Sequence, residues 1–297
     1  MRVDPQYIQG LVGALNQNTA AQQQASIDIS TGVSVNSISD NPVAAAQDFL
    51  LRSEESANDN FVQTATGVSG ALQVTDTALG SVVTQITQAI SLATEGNNGT
   101  LNASDLQSIA NQLSGVQSEI LSLANTNYQG QYLFSGSKTS TQPFSLDTST
   151  SPATTVYSGD GVQTTLTSPS GQNFTMNLPG SQVFGSGSTG ILSTLSNLIA
   201  EFSSGSASIA DGTALSTDLQ TVSQQRVILD NSLSALQASS TYTQNQTTQL
   251  QSAENNLIQT NTAQAATQLS ATETQQTALM DMIASLDQQG TLFNALK

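Results

Sequence analysis

The chain has 297 residues, of which only 9% are charged and 4% aromatic, and it contains no Cys, His or Trp. Five basic residues against 21 acidic ones give a net charge of −16, a sign that repels phosphate backbones and argues against nucleic acid as a partner. Without Cys the chain has no disulfides or thiolate nucleophiles. Without His it lacks the commonest metal ligand and the usual base near neutral pH. We therefore expect no cofactor and no metal site.

The N-terminal residues, MRVDPQYIQGLVGALNQ, carry apolar side chains at helical spacing instead of the continuous apolar core of a secretory signal. No apolar run approaches the ~20 residues that span a bilayer. We expect a soluble chain that has no membrane partner and that, if it leaves the cell, does not use a cleaved signal.

Apolar residues alternate at steps of three and four through most of the chain, as on one face of an α-helix. This spacing predicts five helices, over residues 5–30, 42–95, 103–128, 190–203 and 212–289. The last is expected to be continuous with a weak middle at 239–249, where Ser and Thr occupy the apolar seam. Arg226 also falls on a seam, where we expect it at the edge, with Asp230 as its candidate partner. In the first helix the stripe has a polar centre and consists of Ile8, Leu11, Leu15, Asn18, Gln22, Ala25 and Ile29.

Residues 131–184 differ in kind, because they hold four of the six prolines and alternate polar with apolar residues over short stretches. Such stretches are typical of short strands and turns. The predicted fold is therefore mainly α, a long-helix coiled-coil bundle formed by the N- and C-terminal segments, with a small β-rich inserted domain at 131–188. Residues 1–40 and 255–297 would form a terminal assembly domain, and residues 41–130 and 189–254 a helical bundle.

The segment TGVSVNSISDNPVAAAQ, residues 31–47, explains one of the few prolines. Proline fits the first turn of a helix, and the residue before it is held in the extended conformation that an N-cap requires. We predict that Asn41 is the N-cap, that Pro42 begins the second helix, and that Asp40, Asn41 and Pro42 shape the turn.

Four stretches resemble the flagellin family, and within it the branch that joins the hook of a bacterial flagellum to its filament. They are STGVSVNSISDNPVAAAQ, NNGTLNASDLQSIANQL, LANTNYQGQYLFSGSKTSTQPF and the tail GTLFNALK. The third is the most specific, because its Tyr-Leu-Phe-Ser-Gly segment and the following Pro-Phe resemble the exit from the helices into the β domain of that branch. The chain departs from the family at Val33–Val35, where basic residues are usual, and at Asp230, where Gly is common.

The resemblance implies a non-enzymatic structural subunit of the extracellular flagellum, exported unfolded by the flagellar type III apparatus. Its implied partners are an export chaperone, the other hook-associated junction protein, flagellin, and copies of itself in a ring. The terminal stripes would mediate this assembly, and we expect the interface to include Ile8, Leu11, Leu15, Leu279, Ile283, Leu286 and Phe293. Since the apolar residues of one terminal helix do not offset the entropy lost on ordering it, we expect residues 1–40 and 255–297 to become ordered on assembly.

Three alternatives remain open from the sequence. A filament flagellin would share the Asp-Asn-Pro signature but not the tail or the Tyr-Leu-Phe-Ser-Gly segment. A coiled-coil surface adhesin or spacer would explain the heptads alone. An enzyme would need paired carboxylates, for which Glu54, Glu55 and Asp281 to Asp287 are candidates, although their places in helix patterns are typical of a solvated face.

Overall fold

The structure, a computed structural model, describes residues 5–206 and 209–295, and the side chains of residues 9–206 and 212–285. The chain divides into two compact units. Unit 1 comprises the chain up to Ser56 and from Gln246 onward, and unit 2 comprises Ala57–Asn245. The three-part division that the sequence suggests remains a prediction.

Long helices dominate the described residues, which confirms the mainly α prediction. An asparagine side chain caps the start of three of them. Before the third helix, for example, the Asn102 side chain accepts from the backbone N–H of Asp105 while the Asp105 carboxylate accepts from the N–H of Asn102, a reciprocal capping box. The helices are α1 (Pro5–Thr31), α2 (Pro42–Gly96), α3 (Ala103–Ala124), α4 (Ile191–Ser203), α5 (Ile209–Ile258) and α6 (Thr262–Ala295).

The core of unit 2 is an apolar cluster shared by its helices and its short strands. Along α2, Leu72, Leu79 and Ile86 recur at every seventh residue and are at most 1% exposed. They join fully buried residues of α3 and α4, two helices that pack against each other, such as Leu113 and Leu195. Since a fully buried Leu or Ile is worth ~1.5 to 3 kcal/mol, this cluster is the main source of stability in unit 2.

The predicted β-rich insertion is present as three separate antiparallel strand pairs. The longest pair sets Phe144 opposite Tyr157, and no strand in the described part of the chain exceeds four residues. The pairs are β1 (Asn127–Tyr128) with β2 (Gln131–Tyr132), β3 (Phe144–Asp147) with β4 (Thr154–Tyr157), and β5 (Thr165–Thr167) with β6 (Asn173–Thr175).

Aromatic side chains anchor this insertion in unit 2. The rings of Phe134 and Phe144 meet the ring of Phe184 edge-on, at centroid distances of 5.1 and 5.3 Å. All three side chains are fully buried. Gly180 packs against the same group, because a Cβ at this position would lie 2.5 Å from the Phe144 ring. Strands this short cannot bury a core of their own, so the insertion depends on these rings.

The predicted end of α3 at residue 128 is wrong, because the helix ends at Ala124. The side chain of Asn125 instead binds the backbone of Phe144: its Oδ1 accepts from the Phe144 N–H at 2.9 Å and its Nδ2 donates to the Phe144 carbonyl at 2.9 Å. A side chain that satisfies strand β3 in this way favours a turn over a further helical residue.

The prediction of one continuous helix over 212–289 is also wrong, because the helix is interrupted at residues 259–261, between α5 and α6. The suspected weak stretch at 239–249 is helical throughout, and its small side chains Ser239, Thr243 and Thr247 are buried at four-residue intervals. The break lies where backbone groups bond outside the helix, with Gln259 in an antiparallel bridge to Val33.

Arg226 pairs with Asp76 of α2 and not with Asp230. Its Nε and a terminal nitrogen lie 2.8 and 3.2 Å from the two Asp76 carboxylate oxygens, a bidentate arrangement. The Asp76 hydrogen bonds raise the pKa of the guanidinium. The expected partner one turn along α5 is therefore replaced by a partner on another helix of unit 2.

Candidate assembly surface

The face of α1 that loses contact with solvent follows a strict seven-residue repeat. Leu11, Asn18 and Ala25 are buried, at 9%, 7% and 5% exposure. Leu15, Gln22 and Ile29 are half-buried between them. Because α6 is the element against which α1 chiefly packs, this stripe is the α1 side of an α1–α6 seam.

The matching stripe on α6 alternates at steps of four and three in the same manner. The grooves between the two helices join residues 21–28 of α1 to 259–268 and residues 14–21 to 268–282, so the helices run antiparallel. Thr272 is buried at 3% exposure. The other members of the stripe are half-buried: Ala265, Leu269, Gln276, Leu279 and Ile283.

The expected assembly residues Leu11, Leu15, Leu279 and Ile283 therefore line this seam within one chain. Ile8, Leu286 and Phe293 also belong to the expected set, but their side chains lie outside those that the structure describes. The expected set does not include several large apolar residues on the outward faces of the two helices. The sequence shows them as apolar residues that do not fall on the stripes. They are Val12 and Ile27 on α1 and Met280 on α6, which are 45–52% exposed.

The centre of the seam is polar. Asn18 and Gln22 on α1 and Thr272 and Gln276 on α6 replace the Leu or Ile that a stable coiled coil would carry there. The Thr272 hydroxyl donates to the backbone of its own helix, 2.8 Å from the Leu269 carbonyl. Both the amide nitrogen and the amide oxygen of Asn18 are buried and have no hydrogen-bond partner among the described residues.

The turn between α1 and α2 is closed by the Asp40 carboxylate. It accepts the backbone N–H of Ser37 at 2.7 Å, the Ser37 hydroxyl at 2.9 Å and the N–H of Asn36 at 3.0 Å. These bonds, those from Ser37 first, hold the pKa of Asp40 below its ordinary value. Gly32 begins the turn in the left-handed region, at φ 72°, where α1 ends.

The next two residues begin α2. The Asn41 side-chain oxygen accepts from the N–H of Ala44 at 3.1 Å, and its carbonyl accepts from the N–H of Ala45 at 2.9 Å. Pro42 is the first helical residue. This is the geometry of an N-cap followed by proline at the first helical position.

The same turn is bonded to the break between α5 and α6. The Ser34 N–H and hydroxyl donate to the Ile258 carbonyl at 2.7 and 2.9 Å, and the Thr260 N–H donates to the Gly32 carbonyl at 2.9 Å. Ser34 stands where the resemblance led us to expect basic residues, and its small hydroxyl allows this close backbone approach. The two connections between helices in unit 1, α1 to α2 and α5 to α6, thus lie side by side.

An exposed apolar patch lies beside the turn. Ile38, Val43, Phe49 and Leu50 are 62–75% exposed, although each is large and apolar. They flank or line a shallow groove of about 750 Å³ that also includes Pro42. Exposed apolar groups in such number are typical of an interaction surface.

Of the carboxylates considered for catalysis, Asp287 has its side chain outside those that the structure describes. Glu54 and Asp281 are exposed on their helices. Arg52 lies in the same region of unit 1 and binds Asp48 at 2.9 Å and Glu254 at 3.0 Å. The hydrogen bond that Arg52 donates to Asp48 is the main cause of the raised pKa of Arg52. Arg52, Asp48 and Glu254 thus make surface ion pairs.

Known proteins are similar to this chain in sequence, and solved structures are similar to it in fold. Residues 11–139 match the family model of the bacterial flagellin N-terminal helical region. Flagellar hook-associated protein 3 of Salmonella typhimurium is 30% identical over 189 residues, which cover 63% of this chain and 57% of that protein. The protein of the same name from Escherichia coli is 33% identical over 140 residues, covering 47% and 44%.

These matches confirm the resemblance to hook-associated protein 3. The chain spans about half the length of the two hook-associated protein 3 relatives that it matches. A solved structure named as a flagellar hook-associated protein from Vibrio parahaemolyticus has a TM-score of 0.65 and 21% identity, covering 74% of this chain and 100% of that one. The flagellar junction protein FlgL from Legionella pneumophila has a TM-score of 0.53 and 16% identity, covering 64% and 98%. At these identities the two structures show a shared fold.

In the part of the chain that the structure describes, none of the helices combines the length and the apolar character needed to cross a membrane.

Proposed function

We propose that this chain is a structural subunit of the bacterial flagellum, outside the cell, that joins the hook to the filament. The observation that carries the proposal is its sequence similarity to hook-associated protein 3. The fold supports the same conclusion, because the chain shares it with a solved flagellar junction protein.

Assembly is proposed to use the α1–α6 pair of unit 1. Leu11, Leu15, Leu279 and Ile283 hold the two helices together, and Ile8, Leu286 and Phe293 continue the same spacing in the sequence. The outward residues Val12, Ile27 and Met280 are then left to meet neighbouring subunits. Two helices with a half-buried seam form a weak unit on their own. We therefore propose that α1 and α6 become fully ordered on assembly, when neighbours cover their outer faces.

The proposed partners are copies of this chain in a ring, the other hook-associated junction protein on one side and flagellin on the other. An export chaperone would cover the apolar side chains before assembly. The turn of Asp40, Asn41 and Pro42 fixes where α2 begins and, through Ser34, is tied to the end of α5 just before α6, so it would set the geometry of the terminal pair. The proposed role includes no catalysis, and the ion pairs of Arg52 serve structure.

The direct test is to delete the gene in its host, examine the cells by electron microscopy and assay the medium for flagellin. We expect hooks without filaments and flagellin lost to the medium, both reversed by the wild-type gene. Intact hooks with no flagellin in cells or medium would identify the chain as the filament subunit instead. Normal flagella would contradict a flagellar role and favour a surface adhesin or spacer.

The proposed ordering has its own test by amide hydrogen exchange. In the free chain, α1 and the described part of α6 should exchange faster than Leu106–Leu123 of α3, because α3 belongs to the apolar core of unit 2. In isolated flagella the difference should shrink. Equal protection in the free chain would contradict it.

A further inference from the structure

We infer that the buried amide of Asn18 is a docking point for a glutamine or asparagine side chain from a terminal helix of a second copy of this chain. The inference rests on the proposed function and adds to it the place and the chemistry of one contact between copies. It begins from Asn18, a polar side chain that is only 7% exposed and whose amide nitrogen and oxygen have no partner among the described residues.

A buried amide without partners is costly, because it gives up its bonds to water without replacing them. Within α1 the neighbouring buried positions, Leu11 and Ala25, are apolar, so an apolar residue would fit the same stripe. The opposite helix offers little compensation, since the Thr272 hydroxyl already donates to the backbone of α6. The amide therefore weakens the α1–α6 pair in the single chain.

The surroundings of Asn18 are open to a further side chain. Asn18 and Thr272 line a groove of about 500 Å³ between α1 and α6, together with Gln17, Gln268 and Gln275. The side chains that line this groove carry no charge. A charged group placed against a neutral amide would lose its hydration without a counter-charge, so an uncharged polar group is the better occupant.

The charge of the chain points to a second copy as its source. The net charge is −16, yet no charged residue occurs between Gln9 and Ile27 of α1 or between Thr262 and Thr272 of α6. Like-charged copies can approach each other with least repulsion along such a surface. The same helices expose glutamines, among them Gln17 and Gln268. A carboxamide both donates and accepts, which matches the two unpaired atoms of Asn18.

Asn18→Leu tests the inference because its two expected effects have opposite signs. In the purified full-length chain, α1 amides should exchange about tenfold more slowly, since an apolar residue replaces the unpaired amide. On flagella, incorporation relative to the amount exported should fall about tenfold, since the contact between copies is lost. Asn16→Leu is the matched control, because Asn16 is exposed on the same helix, and it should leave α1 exchange in the free chain unchanged.

Wild-type incorporation of Asn18→Leu would overturn the inference, as would unchanged exchange in the free chain. Asn18→Gln should retain part of the incorporation, because it keeps the amide. The proposed function is judged separately, by whether the wild-type gene restores filaments in the deletion strain.

A photoreactive residue at position 17, on the rim of the groove, identifies the occupant in isolated flagella. We expect a cross-link to α1 or α6 of a second copy, read by mass spectrometry. Cross-links that stay within one chain, or that reach another flagellar protein, would overturn the inference.

Discussion

The α2 seam of unit 2 and the α1 seam of unit 1 follow the same seven-residue repeat but are filled differently. In α2, Leu72, Leu79 and Ile86 are at most 1% exposed. In α1, Leu11, Asn18 and Ala25 occupy the equivalent spacing, with an amide at the centre and 5–9% exposure. Periodicity alone therefore specifies a helix. The side chains on the repeat decide whether that face of the helix is fully buried and hydrogen-bonded by contacts within the same chain.

The difference separates a unit that folds on its own contacts from one whose contacts are incomplete. Unit 2 buries its seam among several helices and four fully buried phenylalanines, Phe134, Phe144, Phe184 and Phe202. Unit 1 leaves large apolar residues such as Phe49 and Met280 more than half exposed. Stability should accordingly reside in unit 2, and sensitivity of assembly in unit 1.

The largest expected effect comes from comparing the same substitution in both units. Phe184→Ala should lower the free energy of unfolding by ~3 to 5 kcal/mol, because it opens a cavity between the rings of Phe134 and Phe144. Phe49→Ala should change it by less than ~0.5 kcal/mol, because Phe49 is 72% exposed. Urea titration of both variants measures the difference, and similar losses of unfolding free energy would contradict the expected contrast between the two units.

A smaller effect is expected within the α1–α6 pair. Leu279→Ala should destabilise the pair by ~1 to 2 kcal/mol, because Leu279 is half-buried on the seam, and α1 amides should then exchange faster. Amides of α3 in unit 2 should be unaffected. Met280→Ala is the control, since its side chain is 52% exposed and should not affect α1 in the free chain. A change in α3 exchange would show that the two units are not energetically separate.

The start of α2 provides the next comparison. Asn41→Ala removes the hydrogen bond to the Ala44 N–H and should lower the free energy of unfolding by ~1 kcal/mol. Pro42→Ala should lower it by only ~0.4 to 1 kcal/mol, because alanine gives the unfolded chain more conformational freedom to lose on folding. Both variants should reduce incorporation into flagella while leaving the melting of unit 2 unchanged. Incorporation of Pro42→Ala at the wild-type level would count against the role of this turn in assembly.

Local rules made much of this fold predictable. Capping and proline chemistry placed the start of α2 at Pro42, and helical periodicity gave α1 to within a residue at its end. The break at 259–261 was not predictable, because it depends on backbone bonds between Thr260 and Gly32, more than 200 residues apart in the sequence. For the same reason the partner of Arg226 was assigned wrongly: Asp76 is distant in sequence and Asp230 is near.

The candidate surface was less predictable than the fold. The stripes of α1 and α6 were readable, but periodicity does not say whether a stripe meets a helix of its own chain or of another. In this structure Leu15 and Leu279 lie on the seam within one chain. The exposure of Phe49 and Leu50 could not be read either, because apolar residues in a helix are most often assigned to a core.

The smallest expected effect concerns a half-buried carboxylate that, unlike the Asn18 amide, has a hydrogen-bond partner among the described residues. Asp218 accepts from the Thr194 hydroxyl at 3.0 Å in unit 2. Burial raises the pKa of Asp218, and the hydrogen bond from Thr194 offsets this only in part. A carboxyl whose pKa is raised on folding contributes most stability below its unfolded value of 3.8, and that contribution is lost as the pH rises through the folded pKa.

Asp218→Asn should therefore stabilise unit 2 slightly at pH 7, because it removes a charge that is costly to bury and retains an acceptor for Thr194. The gain over wild type should shrink as the pH falls from 7 toward 3.8, because the folded wild-type carboxyl, whose pKa is raised, takes up a proton as the pH falls. Melting temperatures of both proteins across this range measure it, with the exposed Asp59→Asn as the control. A loss of stability at pH 7 would contradict this expectation. It would mean that the hydrogen bond from Thr194 to the charged carboxylate stabilises unit 2 by more than the burial of the charge costs.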